Sequence, residues 1–85
     1  MNGRYPKVRH SVEAFDKQTE FLVFKVPIPK KNIEQLRIIM NWSKPEDEIY
    51  DYDLDGAQIT QLEALLGLTF YDPNYDFQIG SHASK

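Results

Sequence analysis

Asp51, Asp53 and Asp55 stand two residues apart and are followed by Gly56. Oxygen ligands at that spacing, with glycine in sixth place, open the calcium loop of an EF-hand. The second half of such a loop is not there. The eighth position, usually aliphatic, is Gln58, and the twelfth, which must supply a bidentate carboxylate, is Leu62. Glu63 comes one residue late, and one residue along a helix turns a side chain by about 100°. Residues 43–49 make a poor entering helix. A small calcium module is therefore the alternative reading, and no metal ligand is assigned. Asp55 is better explained as a helix N-cap, where the helix dipole favours acids.

The three aspartates belong to a longer acidic run. Six carboxylates fall between Glu46 and Asp55, interleaved with Tyr50 and Tyr52. Such a segment suits a cationic protein surface and repels phosphates. Glu46, Asp47, Glu48, Asp51 and Asp53 are the expected electrostatic contacts. Tyr50 and Tyr52 are the expected anchors, since tyrosine brings a large rigid area with a polar tip. The net charge of −3 conceals a split. Residues 1–44 hold nine Lys and Arg against four acids, and residues 45–85 hold one Lys against nine. That asymmetry favours a dipolar surface with one strongly negative region.

Other chemistry has less to stand on. His10 lies on the more apolar side of its predicted strand, as a half-buried structural histidine does, and His82 falls in a small polar tail. Ser11 adjoins His10, and neighbouring strand residues point to opposite faces, so the two cannot form a nucleophile–base pair. Carboxylates are abundant, but they sit in one segment with no apolar pocket implied, so a non-enzyme is expected. There is no glycine-rich phosphate loop. Arg4, Lys7, Arg9, Lys30 and Lys31 near Phe21 and Phe24 leave weak nucleic-acid binding as a further alternative. The chain has no cysteine, which excludes disulfides and thiolate metal sites. No cofactor is implied.

The positioning elements follow from periodicity. Val8, His10, Val12 and Ala14 alternate with polar residues, predicting a strand over 8–15. A polar turn over 16–19 leads into a second strand over 20–26, rich in β-branched and aromatic residues and stopped by Pro27 and Pro29. Asn32 with Gln35 has capping-box spacing, and Ile33, Leu36, Ile39 and Met40 form one apolar stripe. This first helix should end near Trp42 or Ser43, with Trp42 in the core, because Pro45 disfavours helical geometry at Lys44. Asp55 with Gln58 repeats the start signal. Ile59, Leu62, Leu65 and Leu66 form the second stripe, and Gly67 suits a left-handed C-terminus. Tyr75, Phe77 and Ile79 alternate with polar residues, predicting a last strand over 75–79. Residues 50–54 can add a short strand.

The order β–β–α–(β)–α–β predicts an α+β fold: an antiparallel sheet of three or four strands with two helices on one face. Its 85 residues make a single domain, 1–85, with frayed ends at about 1–6 and 80–85. No apolar run reaches the roughly 18–20 residues that span a bilayer, and the first residues do not read as a secretory signal.

Ala14-Phe15-Asp16-Lys17-Gln18-Thr19-Glu20 resembles the early hairpin of immunity proteins against ribosome-cleaving colicins. Tyr50-Asp51-Tyr52-Asp53-Leu54, followed by residues 58–66 and Tyr75-Asp76-Phe77, is similar to a broader group of immunity-like proteins. These small bacterial proteins protect a cell from its own bacteriocin or contact-dependent-inhibition toxin. The two apolar helices depart from the nearly all-β colicin-type fold, so that architecture is not carried over, nor are its binding residues. The resemblance implies a cytoplasmic, non-enzymatic inhibitor, one monomer binding one cognate toxin domain. Such toxins are often nucleases with basic active sites, and the inhibitor itself would touch neither nucleic acid nor membrane.

Overall fold

The computed structural model describes residues 8–83. Four strands, β1 (Val8–Asp16), β2 (Leu22–Ile28), β3 (Tyr52–Asp53) and β4 (Tyr75–Ala83), form one antiparallel sheet in the order β2-β1-β4-β3. Helices α1 (Ile33–Met40) and α2 (Gly56–Leu66) complete the α+β architecture, in the predicted order. Val12, Ala14, Phe77 and Ile79 from the sheet meet Leu36 and Met40 of α1 and Ile59 and Leu62 of α2 in one apolar cluster. Because side chains alternate along a strand, Ser11 and Glu13 lie on the opposite face, which carries no helix among the described residues.

The local devices read from the sequence are only partly formed. At α2 the reciprocal cap is present: Asp55 Oδ1 accepts from the Gln58 N–H at 2.8 Å, and Gln58 Oε1 accepts from the Asp55 N–H at 2.9 Å. Gly67 closes the helix at φ 68°. At α1 the same spacing forms no cap. A 3₁₀ turn over Lys30–Asn32 precedes the helix and holds Asn32 near φ −101°, ψ 9°, which is not the extended N-cap geometry. The helix also stops sooner than expected. Asn41 turns left-handed at φ 59°, and Trp42 N–H reaches back to the Arg37 carbonyl at 2.9 Å, closing the helix before Trp42.

Two strands differ from expectation. Pro27 lies inside β2 rather than after it. The strand is at the sheet edge, where a residue without an N–H is tolerated on the open side. Residues 80–83, expected to fray, instead extend β4: Gly80, Ser81, His82 and Ala83 pair with Ser11, His10, Arg9 and Val8. Their small polar side chains hide the strand from a hydrophobic reading, while β1 supplies a full ladder of backbone partners. The expected fraying at 1–6 and 84–85 lies outside the described residues.

Candidate functional site

The acidic segment crosses from α1 to the sheet edge as a short 3₁₀ turn, Pro45–Ile49, followed by β3. Its carboxylates have separate duties. Asp47 accepts from the Ser43 and Lys44 N–H groups at 3.0 and 3.1 Å and caps the turn. Those backbone donors hold its carboxyl below the usual aspartate value. Glu48 turns inward and is only 6% exposed. Its two oxygens take Arg37 Nε at 2.8 Å and Nη2 at 3.2 Å, a bidentate pair, while its backbone carbonyl accepts from His10 Nε2 at 2.9 Å. Asp51 is exposed yet accepts from the Ser81 N–H at 3.0 Å, and Ser81 Oγ donates to the Tyr50 carbonyl at 3.1 Å.

The two tyrosines divide in the same way. Tyr52 is half-buried, pairs with Ile79, and rests on Trp42 at 5.6 Å between ring centroids. Burial first, then the charges of Asp47 and Tyr50, push its hydroxyl above the usual tyrosine value. Tyr50 is 58% exposed. Glu46 and Asp53 are exposed as well. The expected contact surface therefore contracts. Glu48 belongs to the interior because Arg37, one helix earlier, neutralises it there. Tyr52 is mainly a packing residue. Glu46, Tyr50, Asp53 and the outer side of Asp51 face solvent.

The calcium spacing does not fold into a calcium loop. Asp51 is committed to Ser81 and Asp55 to the helix cap. Glu63 clamps the loop after α2, accepting from Phe70 and Tyr71 N–H at 2.8 and 2.9 Å. Among the described residues, no three His, Asp or Glu side chains converge to hold a metal ion.

A second polar cluster lies on the sheet face opposite α1 and α2, unforeseen from the sequence. His10 is buried and structural, its ring 5.2 Å from Trp42. His82, by contrast, reaches Glu13 Oε2 at 3.1 Å and Ser11 Oγ at 3.3 Å. Lys25 Nζ approaches the same carboxylate oxygen at 3.8 Å. Gly80 makes room for it. A Cβ there would stand 2.3 Å from Glu13 Oε2. Serine, histidine and glutamate thus meet, yet not as a relay. Ser11 and Glu13 both address Nε2, whereas a triad needs the hydroxyl at one ring nitrogen and the carboxylate at the other. The available signal was Gly80 itself, since glycine within a strand marks a close approach.

Residues 9–80, from β1 into β4, match the family model described as a domain of unknown function, DUF7683, and the chain belongs to that family. No curated protein and no solved structure matches the chain.

Proposed function

We propose that this chain is a non-enzymatic binding domain of the immunity-protein kind. It neutralises a basic toxin domain, such as a nuclease, by laying its acidic segment over the toxin's active site or substrate groove. The reading rests on one observation above all: the acidic segment is tied to the rest of the fold by hydrogen bonds and still presents charge. Arg37, His10 and Ser81 fasten its backbone and inner carboxylate, while Glu46, Tyr50, Asp51 and Asp53 remain exposed. A pre-ordered surface loses less conformational entropy on binding. Its negative charge speeds encounter with a cationic partner.

The expected assembly is one monomer with one toxin domain, formed in the cytoplasm. No helix among the described residues is long and apolar enough to cross a membrane. The test needs a cognate basic toxin domain, which this reading expects to be encoded in a neighbouring gene. Glu46→Lys with Asp53→Lys should slow association by about tenfold at low salt and flatten its salt dependence. Tyr50→Ala should chiefly speed dissociation. Unchanged kinetics in both variants would remove the acidic segment from the interface.

A further inference from the structure

The outward side of the helix layer lacks the charge that a solvated helix face normally carries. On α1, Leu36 and Met40 face the core. At about 100° per residue, Ile38 then points directly away from it, and Ile38 is 78% exposed. Glu34 and Arg37 lie on the flank of α1 turned away from α2, paired with each other at 2.9 Å, and Arg37 reaches on to Glu48. On α2, Ile59 and Leu62 face the core, while Ala57, Thr60, Gln61 and Ala64 are exposed. The one charged residue of α2, Glu63, is folded back onto the Phe70 and Tyr71 N–H groups.

Between the two helices runs a shallow groove of about 460 Å³, lined by Gln35, Ile38, Ile39, Gln61, Ala64 and Leu65. None of these residues is charged, in a chain of which 27% is charged. One surface thus carries both a projecting side chain, Ile38, and a recess in which the small Ala64 lets another chain come close. A surface holding both can match a copy of itself across a two-fold axis. In such a contact like charges would be brought together and repel, and this patch has none. A glutamine amide carries both donor and acceptor, so Gln35 and Gln61 can pair with their own copies. An uncharged, amide-rimmed patch therefore favours a second copy over a foreign partner, whose selection draws on charge.

We propose that this chain forms a homodimer through α1 and α2, with Ile38 of each copy seated in the groove of the other against Ala64 and Leu65. The patch offers roughly ten residues a side, short of the roughly 20–30 of a standard interface, so a reversible dimer with Kd on the order of 0.1 mM is expected. The dilute chain is then monomeric, as in the one-to-one toxin complex. Glu46, Tyr50, Asp51 and Asp53 do not line the groove, so each copy keeps its acidic surface when paired. Neither proposal depends on the other.

Sedimentation velocity of the full chain alone, from about 10 µM to about 1 mM, brackets that constant, and amide shifts in NMR over the same range locate the contact. A reversible monomer–dimer equilibrium is expected, with concentration-dependent shifts centred on Gln35, Ile38, Gln61 and Ala64. Ile38→Glu sets like charges across the two-fold axis and should raise Kd about tenfold or more. Ala64→Arg fills the recess and should do the same. Both residues are exposed, and urea unfolding of each variant confirms that the fold is kept. Val23→Glu, on the outer strand of the sheet and also exposed, should leave the dimer unchanged. A chain that stays monomeric at about 1 mM overturns the proposal and leaves the groove to a different protein. A dimer that survives Ile38→Glu overturns it too, as does one that Val23→Glu dissolves, which would place the contact at the sheet edge.

Discussion

The Arg37–Glu48 pair joins α1 to the acidic segment, and its two halves should not be equivalent. The Glu48 side chain is 8% exposed and the Arg37 side chain 29% exposed. Arg37→Leu leaves a carboxylate in the interior without its cation. Removing one partner of a fully buried pair costs about 3–5 kcal/mol. Partial exposure of the guanidinium and retention of the leucine packing place this variant near the lower bound, about 3 kcal/mol. Glu48→Gln leaves the other partner, but Arg37 can rehydrate and keeps Glu34 at 2.9 Å. The amide also preserves shape and some hydrogen bonding, so about 1–2 kcal/mol is expected, in the range for a lost hydrogen bond to a charged group. A domain of this size is stable by roughly 4–13 kcal/mol at about 0.05–0.15 kcal/mol per residue. The arginine variant should therefore lose a large fraction of its stability and about 12–24 °C in Tm, at about 4–8 °C per kcal/mol. Urea and thermal unfolding, with the double variant to complete the cycle, measure this. The reasoning fails if Arg37→Leu lies within about 0.5 kcal/mol of the native chain, the ordinary range for surface changes. It fails equally if Glu48→Gln is the worse of the two.

Three further outcomes are expected. Gly80→Ala should destabilise by about 1–3 kcal/mol, because its Cβ displaces the Glu13 carboxylate; combined with Glu13→Ala the loss should be clearly less than additive in urea unfolding. Asp55→Ala should cost about 1 kcal/mol as a lost N-cap, whereas Asn32→Ala should stay within about 0.5 kcal/mol because Asn32 makes no cap hydrogen bond. Backbone donors hold the Asp47 carboxyl below its ordinary value of 3.8. With the folded value depressed, its contribution is present above the unfolded value and fades as pH falls through the folded one. Asp47→Asn should accordingly flatten the stability–pH curve below about pH 4 in urea titrations.

What could be read without the structure is what local interactions decide. Alternation placed β1 and the apolar half of β4, and the helical stripes of Leu36 with Met40 and Ile59 with Leu62 identified the core faces. The Asp55–Gln58 cap and the Gly67 terminus each depend on groups within a few residues. The same logic failed at Asn32, where the preceding 3₁₀ turn had already set the backbone. It failed at Gly80–Ala83, where strand formation depends on a partner ladder rather than on side-chain pattern.

The acidic segment shows the same boundary. Composition alone located six carboxylates and two tyrosines in one stretch. Tertiary structure decided which of them face solvent. Glu48 is interior because α1 folds Arg37 back over it, and Asp51 is tethered because β4 runs on to Ser81. Ser11, Glu13, Gly80 and His82 meet only because β1 lies between β2 and β4, bringing together residues about seventy positions apart. Charge and turn propensity are properties of a few neighbouring residues. Burial and ion pairing are set by whatever the chain brings back from a distance.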